Sequence, residues 1–136
     1  MVEFKLVIGA KDGKSYQKEV KSPEADTFLK KKIGETLSGD AAGFPGYEFL
    51  ITGGSDKCGF PMRKGIQMPR KKILLGQGVG FCGKDRKGKT QKGLIRRRTV
   101  CGEVVTKIIH QVNVKAVKEG PQPLAPPATE TAPAQQ

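Results

Sequence analysis

Three groups of residues in this chain have types and spacings that could do chemistry. Gly83–Thr90 (GKDRKGKT) fits G-x-x-x-x-G-K-[ST], the loop whose amides and lysine cradle nucleotide phosphates. Gly78–Gly83 (GVGFCG) fits G-x-G-x-x-G, the turn that receives a dinucleotide pyrophosphate. Cys58, Cys82, Cys101 and the single histidine, His110, are residue types that ligate zinc.

Each group needs an element to position it, and the sequence offers none. A phosphate loop requires a helix starting at its Lys-Thr, because the helix N-terminus supplies the amides that meet the phosphate. Here Lys89-Thr90 is followed by QKGLIRRRTVCG, with Gly93 in the would-be first turn and β-branched Thr99 and Val100 before Gly102. No apolar strand ends in an aspartate that could hold Mg²⁺: Asp12, Asp26, Asp40, Asp56 and Asp85 all follow polar or small residues. From Gly76 to Gly93, six of eighteen residues are Gly and four are Lys, so the letters arise from composition. The dinucleotide turn follows KILLG and has Glu103 about 20 residues on, where a ribose-binding acid would stand. Its sequel, KDRKGK, nevertheless cannot open a packed helix.

The cysteines are odd in number, widely spaced and without a CxxC pair, so they are expected as reduced, partly buried thiols with no metal bound. His110 has no acid or nucleophile beside it and is expected at a strand edge. Asp56 and Asp85 stand among bases and are better suited to shaping loops or pairing with cations than to acid–base work. The expectation is a protein without catalysis, cofactor or bound nucleotide.

The elements themselves read as mainly β. Val2–Ile8 alternates with Val2, Phe4 and Leu6 on one face, and the Asp-Gly turn in Ala10–Lys14 leads back into Ser15–Val20. Ser22, Pro23, Glu24 and Asp26 form a helix start, predicting a helix to about Ile33 with Gly34 as its stop. Thr36–Gly46 reads as loop and Tyr47–Thr52 as strand; Lys72–Leu75, Arg98–Cys101, Glu103–Val105 and Gln111–Lys118 read as further strands. In the last, Val112, Val114 and Ala116 share one face and Lys115 takes the other. One short helix and about six strands predict a small, mostly antiparallel, barrel-like domain over residues 1–119, with a basic glycine-rich extension. Residues 120–136 (GPQPLAPPATETAPAQQ) hold five prolines and one charge and are expected to be a disordered tail.

Charge placement points to a partner. The net charge is +12, yet the segment from Lys57 to Arg98 holds fourteen bases against one acid, Asp85, which leaves eleven bases against twelve acids elsewhere. The fourteen are Lys57, Arg63, Lys64, Arg70, Lys71, Lys72, Lys84, Arg86, Lys87, Lys89, Lys92, Arg96, Arg97 and Arg98. Such a block attracts polyanions. With Phe60 and Phe81 as its only aromatics, and with no zinc finger, zipper or recognition helix, it favours backbone-led RNA binding over reading of a DNA groove. It lacks the amphipathic helix of a membrane-surface segment, and no apolar run has the length of a membrane span. Self-repelling cations spaced by glycines are expected to take their shape on RNA. A start of MVEFKLVIGA, with Glu3 in it, reads as cytosolic.

Gly53–Met62 (GGSDKCGFPM) and the following RKGI resemble the hallmark of the small-subunit ribosomal protein six family of archaea and eukaryotes. The resemblance continues through RKKILLGQGVGF, RRRTVCGEVV and QVNVKAVKEG, across roughly residues 1–119, and the length suggests the short archaeal form. It implies a β-barrel-like structural constituent of the small subunit in the cytoplasm, with small-subunit rRNA and neighbouring ribosomal proteins as partners. It also implies that Gly53, Gly54, Asp56, Lys57, Gly59, Phe60, Pro61 and Met62 form a shared loop, and that Lys84–Arg98 is an rRNA-contacting extension.

Overall fold

The computed structural model describes residues 3–121 and 124, which form two sheets joined by loops. Strands β1 (Glu3–Gly9) and β2 (Ser15–Lys21) make the expected hairpin, with Gly13 in the left-handed region at φ 80°. Strands β3 (Thr36–Ser38), β4 (Glu48–Asp56) and β7 (Ile109–Lys118) complete a five-stranded sheet of order β2-β1-β7-β4-β3. Strands β5 (Arg70–Leu75) and β6 (Arg96–Cys101) form a separate antiparallel ribbon.

Period-two alternation builds the main core. Phe4, Leu6 and Ile8 of β1, Phe49 and Ile51 of β4, and Val112, Val114 and Ala116 of β7 all turn to one face and are buried, whereas Lys115 is exposed. The larger sheet curls into a half-barrel and does not close. Register shifts in the β4–β7 pair, between Glu48/Phe49, Ile51/Gly53 and Ser55/Asp56, supply local bends. The strand pairs are mostly antiparallel, as expected, with one exception: β1 and β7, from opposite ends of the chain, run parallel.

Three local expectations give way to tertiary pairing. The helix expected to run to Ile33 is a five-residue 3-10 turn, Glu24–Phe28, and Leu29 is already extended. Beyond it the backbone bonds to residues 103–105: Lys30 N–H donates to the Val105 carbonyl (2.9 Å), Val105 N–H to that of Lys31 (2.8 Å) and Ile33 N–H to that of Glu103 (3.0 Å). Donors spent across the chain cannot close helical turns. For the same reason Glu103–Val105 is an isolated bridge, Lys32 to Val104, and not a strand. The loop expected over Thr36–Gly46 contains β3 and a second 3-10 turn, Gly39–Ala42. Ala25, Phe28 and Ala42 from these turns reach the main core.

Val2 lies outside the described residues. Of the expected tail, Gly120, Pro121 and Leu124 are described, Leu124 joining the main core; the remainder lies outside the described residues.

Candidate nucleic-acid interface

The GGSDKCGFPM segment joins the two sheets. Its first half is strand, not loop: Gly53–Asp56 continue β4. A Cβ on Gly54 would stand 2.3 Å from the Gln111 carbonyl oxygen, so the close approach of β4 to β7 requires glycine. After Asp56 the chain reverses. Phe60 N–H donates to the Asp56 carboxylate (2.9 Å), Gly59 N–H donates to the Asp56 carbonyl (3.1 Å), and Gly59 sits at φ 84°.

Asp56 is the buried charged residue of this junction. Its carboxylate accepts from Arg70 at the start of β5 and from the Cys101 thiol (3.4 Å) at the end of β6. Burial alone would raise its pKa, but the Phe60 amide, Arg70 and Cys101 together hold it below the ordinary carboxylate value. Cys101 moves the other way: burial, then its bond to the Asp56 carboxylate, push the thiol up to about 11. Arg70 also lies over the Phe60 ring, its guanidinium carbon 5.2 Å from the centroid, and Phe60 is half-buried against the main core. Thus Asp56 pairs with a cation and shapes a turn, as its setting among bases suggests.

The ribbon and the loop between its two strands carry eleven of the fourteen bases. Cross-strand partners share a face, so Lys71, Ile73 and Leu75 stand with Val100, Arg98 and Arg96. Arg70, Lys72 and Leu74, with Cys101, Thr99 and Arg97, take the opposite face. On the first face Leu75, Phe81 and Val100 form a second, small core, with Ile66, Ile73 and Leu94 packed against it. Gly80 comes within van der Waals reach of that core: a Cβ there would lie 3.0 Å from Leu75 and Val100 side-chain atoms.

The glycine-rich segment folds across this face without a helix. Lys84 bridges to Thr90, Asp85 N–H donates to the Lys89 carbonyl (2.9 Å) and Gly88 N–H to that of Asp85 (2.9 Å), a tight hairpin turn. Thr90 is followed by turns and then β6, so neither nucleotide fingerprint opens a helix. The Asp85 carboxylate stands 3.4 Å from Arg96, tying the turn back to the ribbon.

Of the fourteen expected RNA-binding bases, thirteen are exposed. Arg63 is half-buried and donates to the Val79 carbonyl (2.9 Å), and Arg70 is engaged by Asp56, so these two brace the lobe. Lys84, Arg86, Arg96 and Arg98 converge on one cleft, together with Phe81, Cys82, Asp85 and Gly88. Lys71 lines a second cleft with Met68 and Ile73, and Lys92 a third with Gln77, Thr90 and Gln91. Lys57, Lys64, Lys72, Lys87, Lys89 and Arg97 are exposed and line none of these three. Counting charge passes over Gln77 and Gln91, which are neutral and stand in no pattern a linear reading would flag, and Thr90 is flagged only as the last letter of the phosphate-loop pattern.

Among the described residues no group of His, Cys, Asp and Glu could hold a metal ion. Cys58 and Cys82 are exposed and Cys101 buried, so the thiols are not uniformly half-buried as expected. His110 is half-buried in β7, in the middle of the sheet and not at its edge, with a buried Nδ1 that has no hydrogen-bond partner.

A family model described as ribosomal protein S6e matches residues 4–128. Among curated relatives, a small ribosomal subunit protein eS6 from Methanocella arvoryzae is 39% identical over 126 residues, spanning 91% of this chain and 84% of the relative. Proteins of the same name from Archaeoglobus fulgidus (42% over 126 residues; 90% and 93% covered) and Methanococcus maripaludis (42% over 123 residues; 89% and 92%) are similar throughout.

Proposed function

The chain belongs to the ribosomal protein S6e family, non-enzymatic structural components of the small ribosomal subunit in archaea, and from that premise we propose that it grips small-subunit rRNA through its basic ribbon lobe. One observation carries this reading: eleven of the fourteen bases of residues 57–98 lie on the ribbon and the loop between its strands, a lobe with a minimal core of its own, and thirteen of the fourteen face solvent. Lysines and arginines arranged in this way neutralise backbone phosphates and release condensed counterions. The glycines between them let the chain follow an irregular surface. In this reading the GKDRKGKT turn meets the phosphates of a polynucleotide, and the lobe works in the cytoplasm within a particle that includes neighbouring small-subunit proteins. Residues 1–119 form the rRNA-binding unit, and 120–136 an appended proline-rich tail.

The test is the salt dependence of binding to small-subunit rRNA. Log affinity should fall linearly with log salt. Replacing Arg96, Arg97 and Arg98 with alanine should weaken binding and shrink the slope by roughly 2–3, about 0.9 for each duplex phosphate no longer neutralised. Equal affinity at about 50 and about 500 mM salt would overturn the reading. In a sedimented lysate the chain should travel with small-subunit particles and with their rRNA.

A further inference from the structure

The cleft lined by Phe81, Lys84, Asp85, Arg86, Arg96 and Arg98 is built differently from the rest of the basic surface. Its volume, about 460 Å³, falls in the range of small-ligand pockets, roughly 300–1,000 Å³. Four bases line it against one acid, whereas the two clefts of similar volume on the lobe have one lysine each. Its wall includes an arginine set over an aromatic ring. Phe81 is buried in the small core, and Arg98 lies over its ring with the guanidinium carbon 5.5 Å from the centroid. Arg98 itself is exposed, so the ring backs one side of the guanidinium while the side chain keeps solvent access. Arg96 is held by Asp85 at 3.4 Å, across the mouth between β6 and the Lys84–Thr90 turn.

We propose that this cleft receives one unpaired nucleotide of the RNA, its base stacked on the Arg98 guanidinium and its phosphate met by Lys84, Arg86 and Arg96. The inference rests on the RNA-binding reading above and specifies what one part of that surface recognises. A ring-backed guanidinium offers a planar, electron-poor face, which suits a base expelled from a helix. A paired base has no free face to give. An acidic peptide would satisfy the cations but would leave that face unused, because a carboxylate has no ring to stack. Asp85 does not contact the phosphate; it positions Arg96. The remaining cations of the lobe, spread over open surface, then act on backbone phosphates generally.

The discriminating experiment compares the full chain on two RNAs by fluorescence anisotropy: a perfect duplex, and the same duplex with a single-nucleotide bulge. The bulged RNA should bind about tenfold more tightly, the scale of one stacked base. Arg98→Lys, which keeps the charge and loses the plane, should bring that ratio close to one. Saturating bulged RNA should also protect Cys82, in the cleft wall, from maleimide, and leave Cys58 reactive. Equal affinity for both RNAs, an unchanged ratio in Arg98→Lys, or displacement of the RNA by an equimolar oligoglutamate would overturn the nucleotide cleft while leaving the general RNA grip standing. Failure to bind either RNA at low salt would overturn the grip itself, and the cleft with it.

Discussion

The five-stranded sheet and the β5–β6 ribbon use the same period-two alternation, yet they divide the work of the chain between them. In the sheet, alternating side chains from β1, β4 and β7 meet over a core that also takes in Phe28, Tyr47 and Ile109. The small core beside the ribbon holds Leu75, Phe81 and Val100, while Cys101 at the end of β6 is buried in the main core. The ribbon leaves Leu74 66% exposed and Met68, Val79 and Ile95 more than half exposed nearby. A strand pair with so small a core is marginal alone. It holds here because Asp56, buried at the end of β4, bonds to both ribbon strands, through Arg70 and Cys101. The main apolar core and the basic surface therefore occupy separate regions, so that cations can crowd on one lobe without loading the main core with repulsion.

The widest gap between the regions should come from their cores. Phe49→Ala, in the sheet, should cost about 3–5 kcal/mol in urea denaturation, because the site is fully buried and cannot collapse. Phe81→Ala should instead act locally: amide exchange in β5 and β6 should speed up while β1, β4 and β7 keep their protection. Global unfolding of Phe81→Ala at the same denaturant concentration as Phe49→Ala would contradict this division.

The junction comes next. Asp56→Ala leaves the Phe60 turn without its acceptor and should cost about 1–3 kcal/mol, with loss of exchange protection concentrated in the ribbon. The pH dependence has a definite sign. Asp56 titrates lower in the fold than in the unfolded chain, so its contribution is present above the ordinary value of 3.8 and drains away as pH falls through the depressed folded value. Cys101 titrates higher in the fold, at about 11 against 9.0, so its contribution is full below 9.0 and is lost as pH rises toward 11. A denaturation midpoint that keeps rising below pH 3.8 would contradict the first assignment, and one that keeps rising above 9.0 the second.

A smaller effect marks the boundary between the lobes without changing the fold. At mildly alkaline pH iodoacetamide should modify Cys58 and Cys82 and spare Cys101 until the chain is denatured, as read by mass spectrometry. The smallest effect belongs to the sheet's exposed rim. Lys118→Ala removes an ion pair with Glu48 (3.4 Å) whose side chains are 69% and 49% exposed, and should shift stability by about 0–1 kcal/mol, vanishing at high salt.

Strands whose side chains alternate cleanly are legible in the linear sequence. β1, β2, β4 and β7 stand where their patterns put them, because burying one face of a pleated strand leaves a signature every second residue. The charge block is legible for a similar reason: its bases are contiguous in the chain. Segment 22–33 is not. Its cap, its proline and its apolar spacing all favour a helix, but those preferences are worth little against the hydrogen bonds that Lys30, Lys31 and Ile33 make with residues 103–105. The strand character of Gly53 and Gly54 is hidden too, since glycine normally marks a turn; only the proximity of Gln111 to Gly54 explains it.

The β class, the single basic segment, the failure of both nucleotide fingerprints and the family all follow from the order of residues alone. These depend on residues close together in the chain, or on the absence of a helix that nearby residues would have to form. Tertiary structure decided that β1 runs parallel to β7, that the sheet stops as a half-barrel, and that Asp56 joins Arg70 and Cys101. It also decided which four of the fourteen bases share a cleft with Phe81. Most of these join residues far apart along the chain, and no local preference encodes such a distance; only the folded backbone, satisfying its buried donors and packing its apolar faces, selects it.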